Sequence, residues 1–273
     1  MSHSTRLFST IALTTTSLVS GLAWLTVAMA EPPAPPPIRL SKVMSLADLH
    51  DEAAAQLTLV KQHLDTKKSY ADSAKHELPR AAGLLAVIGQ AITEHDSKPA
   101  TAKSADRPPI HGPALRDVAL KLAASKTHTQ ALETVPTLQA VVNGRSGRSG
   151  RSGRNETRQR PWTGLISLHH IMEELNSRNS RLRRAVRRSR DPKLDARNAA
   201  TMALLGVVVA ADTHEVKQKA QLPAWKKYAL QFQVNASATA AALRKGDAAS
   251  VKTRYLKAAK ACAACHSDFR HDE

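Results

Sequence analysis

The closing stretch Asp247–Arg270, DAASVKTRYLKAAKACAACHSDFR, decides how the chain is read. Val251, Tyr255, Ala258, Cys262, Cys265 and Phe269 recur in alternating steps of four and three, the spacing of one face of a helix. Gly246 ends the preceding helix and Asp247 caps this one. Both cysteines of the chain lie on this seam and His266 follows directly, so Cys262-Ala263-Ala264-Cys265-His266 has the C-x-x-C-H form of covalent haem attachment. That chemistry needs this spacing: two thiols add to the two vinyl groups of one porphyrin, and the adjoining imidazole ligates its iron. On a helix, positions 262, 265 and 266 share a face.

Three other chemistries compete for the same residues. A redox C-x-x-C pair belongs near a βαβ pattern, and none is present. Zinc could recruit Cys262, Cys265, His266 and His271, although structural zinc ligands come as two separated pairs. A disulfide between residues three apart on a helix is the third. Haem is the favoured reading.

Upstream of the motif, three more amphipathic segments are predicted. Thr163–Ser189 carries Leu165, Leu168, Met172, Leu175, Leu182 and Val186 on one side. Pro192, suited to a first turn, opens a second segment that reaches about Val216, with Met202, Leu205 and Val209 in its core. A third follows Pro223 and presents Trp225, Ala229, Phe232, Ala236, Thr239 and Leu243. Four such helices with short connections make an antiparallel bundle.

The first half reads similarly. Helices are predicted over 41–65, over 69–95 with a kink or break at Pro79, and near 114–125 and 128–142. Leu46, Leu49, His50, Leu85 and His95 match Leu165, Leu168, His169, Leu204 and His214 at a constant offset of 119 positions. The same shift sets Asn143, Ser146 and Gly147 against Cys262, Cys265 and His266, so the first copy of this duplication lacks the motif. Between the halves runs a Gly-Arg-Ser repeat, flexible and basic.

The N-terminus has the form of an export signal: Arg6, an uncharged run from Leu7 to Ala30, and Ala28-Met29-Ala30 before Glu31-Pro32-Pro33. The rival reading is a retained anchor, which the Thr and Ser residues weaken. The organisation expected is therefore a signal peptide over 1–30, cleaved after Ala30 for a periplasmic destination, and a Pro-rich spacer over 31–40. A haem-free bundle over 41–143, the linker over 144–160 and a haem bundle over 161–273 follow. The fold class expected is all-α, two antiparallel four-helix bundles in tandem.

With Pro223-Ala224-Trp225, the Gly246-Asp247 turn and Cys262-x-x-Cys265-His266-x-x-Phe269-Arg270 in place, residues 161–270 resemble the cytochrome c′ family. The resemblance implies one covalent haem c held by Cys262 and Cys265, with His266 as proximal ligand. It also implies Arg270 beside that histidine; a snorkelling helix-end cation is the plainer reading of Arg270. In low-spin relatives the first helix supplies a methionine sixth ligand, and Met172 stands at that depth here. Otherwise an apolar residue guards an open site. Met172 as core, and His169 or His170 as ligand, stay open. Bundles of this family often pair as homodimers.

The formal net charge is +17. Between Gly144 and Arg190 lie 13 arginines against three glutamates. Arg178, Arg181, Arg183, Arg184, Arg187, Arg188 and Arg190 are expected on the exposed side of their helix, where such a field steers an acidic redox partner or an anionic membrane surface. Export and the 3% aromatic content argue against nucleic acid. Nothing resembles the acid/base or nucleophile constellation of an enzyme. One-electron transfer is the function expected, with binding of nitric oxide or carbon monoxide at an open iron as the alternative, and a zinc or structural module more remote.

Overall fold

Short polar side chains decide where the helices begin. A computed structural model describes residues 39–97, 108–145 and 160–270. Among them are α1 (Leu40–Val43), α2 (Leu46–His63), α3 (Lys67–Ser73), α4 (Glu77–Thr93), α5 (Gly112–Ala123), α6 (His128–Val142), α7 (Leu168–Arg187), α8 (Pro192–Ala211), α9 (Leu222–Lys245) and α10 (Ala248–Phe269). The described residues contain no strand. Ser45, Thr66, Thr127, Ser167, Asp191 and Asp247 each accept the backbone N–H three residues on, satisfying one of the orphan donors of a helix start.

These caps explain where the observed boundaries differ from the sequence-based ones. The helix expected over 41–65 is split because Ser45 caps a new start at Leu46. The next breaks between Ser73 and Glu77, ahead of Pro79, which then sits in the first turn of α4, where a missing N–H costs nothing. The segment expected from Thr163 starts at Leu168, behind the Ser167 cap. The segment expected to reach Val216 stops at Ala211. Gly246, at φ 70°, ends α9 in the left-handed conformation that glycine adopts without a Cβ clash.

In the first half α2 packs on α4, α4 on α5, α5 on α6, and α6 back on α2. In the second half α7, α8, α9 and α10 follow the same cyclic order. The α4–α5 crossing is close because it is made through glycine: a Cβ on Gly89 would lie 2.5 Å from the Arg116 nitrogen and 2.7 Å from the Gly112 carbonyl oxygen. Helix α8 is long and apolar enough to cross a bilayer, yet 78% of its apolar window is buried inside the fold. It is the central core helix of its half.

The described residues fall in one compact unit. The two halves are joined by a buried polar network, and here one sequence expectation is corrected. Arg178, assigned to the exposed face of α7, is buried. Its guanidinium donates to Glu174 Oε1 at 2.7 Å, to Asn198 Oδ1 at 2.9 Å and to Glu52 Oε1 of α2 at 2.5 Å. Arg181 is half-buried against Asp195 at 3.1 Å, while Arg183, Arg184, Arg187, Arg188 and Arg190 are exposed. The segment leading into α7 also docks on the first half. Trp162 Nε1 donates to Glu94 Oε2 at 3.0 Å, Gln90 donates to the Arg160 carbonyl at 2.8 Å, and Ile166 lies against Gly83. The signal segment, most of the Pro-rich spacer, linker residues 146–159 and His271 lie outside the described residues.

Candidate functional site

The C-x-x-C-H motif occupies the last two turns of α10, and its helix is firmly seated on one side only. Val251, Ala258 and Phe269 are buried. Phe269 stacks edge-on against Trp225 (centroids 5.1 Å apart, 89° between planes), and Trp225 Nε1 donates to the Val209 carbonyl at 2.7 Å. Next to this contact Tyr228 OH donates to Asp268 Oδ2 at 2.8 Å. These bonds fix the end of α10 against α9.

On the side facing α7 the packing thins. Tyr255, Cys262 and Cys265 are half-buried on the seam of α10; Met172 and Leu175 are half-buried on α7, and all five rest against the core. Helix α10 packs far more extensively on α9 than on α7. One polar clasp joins the two helices: Tyr255 OH donates to Asn179 Oδ1 at 2.9 Å. The two helices run antiparallel, so the clasp sets their register. Seven residues on from Tyr255 is Cys262, and seven back from Asn179 is Met172. Both therefore lie about 10 Å along the axes from the clasp, on the facing stripes. By the same register Leu168, which is buried, stands level with His266, which is exposed. Two half-buried thiols, a tyrosine, a methionine and a leucine are the partly exposed side chains against which the described residues could hold a flat apolar group.

The thiols are free. Burial, with Cys265 as neighbour, pushes the Cys262 thiol up to about 11; burial, with the Asp268 carboxylate, pushes Cys265 up to about 11. A nucleophilic redox pair shows the opposite, a depressed value. Cys262, Cys265 and His266 do not converge as a ligand cluster, whereas His76, His169 and Glu173 do. Arg270 stands at the C-cap of α10, its backbone N–H bonded to the His266 carbonyl at 3.1 Å.

His169 and His170 turn away from α10. His169 Nε2 lies 3.4 Å from Glu173 Oε1, and His170 contacts Ser167 Oγ at 2.9 Å and the Lys75 carbonyl at 3.4 Å. Of the three neighbours in the sequence, Met172 is the one left facing the motif. Sequence reasoning missed His76, which caps α4 at its backbone and meets His169 and Glu173 only through tertiary packing. The i, i+4 spacing of His169 and Glu173 was the one signal available.

Arg181, Arg184, Arg187, Arg188 and Arg190 line a surface cavity of about 540 Å³ with Asp191 and Asp195. It lies at the opposite end of α7 from the motif: Met172 and Arg188 are separated by about 24 Å of helix.

No protein-family model, curated protein or solved structure matches the chain significantly.

Proposed function

We propose that the chain is an exported monohaem c-type cytochrome that transfers single electrons, built as two four-helix bundles of which the second carries the haem. The observation that carries this reading is the C-x-x-C-H motif ending α10, with both thiols half-buried against the core and Cys262 level with Met172 in the register set by the Tyr255–Asn179 clasp. The cyclic packing of four helices in each half supports the tandem-bundle arrangement.

The residues fit the group. Cys262 and Cys265 would hold the group covalently, each thiol adding its S–H across one vinyl C=C to form a C–S and a C–H bond with no oxidant required. Raised, protonated thiols suit that addition better than they suit zinc, which takes thiolates. His266 would offer the iron an imidazole nitrogen, and Met172 a thioether sulfur. The bound haem supplies the one-electron centre, and His/Met ligation raises its potential. Leu168, Leu175 and Tyr255 would exclude water from the group. The arginine end lies away from the motif, so it attracts an acidic partner or an anionic surface by its long-range field and leaves the motif end open for electron exchange.

One observation favours gas binding as the second reading. With His169 and His170 engaged by Glu173, Ser167 and the Lys75 carbonyl, no other candidate ligand on α7 remains if Met172 does not ligate, and an open position would admit nitric oxide or carbon monoxide.

The test is an absorption spectrum, oxidised and reduced, on protein produced with the c-type haem attachment machinery. A covalent low-spin spectrum indifferent to carbon monoxide is the expected result. A high-spin spectrum that changes on adding either gas selects the second reading, and absence of covalent haem rejects both.

A further inference from the structure

We infer that His76, His169 and Glu173 form a binding site for a divalent late transition metal, exemplified by zinc, that staples the first half of the chain to the second. The site is separate from the C-x-x-C-H motif and does not rest on the haem reading.

His169 and Glu173 lie four apart on α7 and so share a face. His76 comes from the start of α4, nearly a hundred residues earlier in the chain. All three ligand atoms lie within 4.8 Å of one another. His76 Nδ1 is 3.2 Å and His169 Nε2 3.4 Å from Glu173 Oε1. Ligands bound tetrahedrally at about 2.0–2.1 Å stand roughly 3.3–3.4 Å from each other. Two edges of the coordination polyhedron are therefore already set, and rotation of the exposed His169 ring closes the third.

The donor chemistry selects the ion. Two imidazoles and one carboxylate suit zinc and its neighbours rather than calcium or magnesium, which take oxygen. A plain His–Glu ion pair accounts less well for the geometry, because both imidazoles converge on the same oxygen. Glu173 Oε2, buried, is left without a hydrogen bond. A cation between the three groups engages the carboxylate and both rings together. Both histidines are exposed, so a fourth position stays open to water. His170 flanks the site, its ring 5.5 Å from that of His169, held in place by Ser167 and the Lys75 carbonyl.

Because the ligands come from both halves, an ion that binds only the folded chain adds stability by mass action. It also fastens α4 to α7 beside the segment that carries Met172.

The test is calorimetric titration of zinc chloride into the full chain carrying Cys262→Ser and Cys265→Ser, which removes the competing thiols. One zinc per chain and a higher thermal midpoint with zinc are expected. His169→Ala and Glu173→Gln in that background should weaken binding by about tenfold or more and abolish the thermal shift. The same titration on haem-loaded parent protein, with and without His169→Ala, gives the answer if the double serine variant folds poorly. Zinc binding that disappears with the cysteines, or persists unchanged in His169→Ala, overturns the site; so does the absence of binding heat in both backgrounds.

Discussion

Arg178 of α7 donates to Glu52 of α2 across 2.5 Å inside the protein, 126 positions away in the chain. Both side chains are buried, and Glu174, Asn198, Gln56 and Arg197 complete their bonding. A basic residue from the arginine-rich helix thus serves as the bolt between the two halves rather than as part of the surface field.

Removing Arg178 takes away the shortest charge contact of Glu52 and leaves Arg197 and Gln56 as its partners. Arg178→Ala leaves the Glu52 carboxylate buried beside Glu174 and should cost about 3–5 kcal/mol of stability in urea unfolding. Arg178→Met combined with Glu52→Leu should recover a large part of that loss, since a packed apolar pair replaces the ions. A loss below about 1 kcal/mol for Arg178→Ala would mean that the pair is solvated and the halves are joined elsewhere.

The same pair sets an acid limit. Burial alone pushes the Glu52 carboxyl up, but Arg178, Gln56 and Arg197 outweigh it and hold the group below its ordinary value. The folded value therefore lies below the unfolded value of about 4.3. The stability this group confers is complete above that pH and drains away as pH falls through the folded value. Unfolding measured from pH 6 to pH 3 (roughly the carboxylate range) should fall more steeply for the parent than for Glu52→Gln. Parallel curves would exclude Glu52 as the source.

Met172 separates the electron-carrier reading from the gas-binding one. Met172→Ala should convert a low-spin haem to high-spin, lower the potential and open the iron to carbon monoxide, while global stability falls by less than the 2–5 kcal/mol or so of a fully buried methionine, since Met172 is only half-buried. An unchanged spectrum and potential would reduce Met172 to a packing residue.

The thiols of the haem-free chain should be sluggish. With both values raised to about 11, roughly a thousandth of each thiol is ionised at pH 8, against about a quarter of an ordinary cysteine. Greater intrinsic nucleophilicity of the thiolate offsets part of this. Alkylation by iodoacetamide should run roughly tenfold slower than for free cysteine. Faster alkylation would indicate activated thiolates and favour redox chemistry.

Local rules made much of the fold legible. The four-three rhythm from Trp225 to Leu243 marked residues that are all buried, and Gly246 and Asp247 end and start their helices as their types require. Boundaries were missed where a single capping serine, Ser45 or Ser167, interrupts an otherwise continuous apolar pattern. Arg178 was misplaced because a helix packed on two sides has no single exposed face. Its own half covers one stripe, and α2 and α4 of the other half cover the next.

The sequence by itself determined the helical class and the place of the C-x-x-C-H residues on the seam of the last helix, because caps and periodicity act within a few residues. The tertiary structure alone decided which neighbour each stripe of α7 meets: Asn179 toward Tyr255, His169 toward His76, Arg178 toward Glu52. Those choices depend on side chains brought together from distant parts of the chain, and no local pattern encodes which distant surface will arrive.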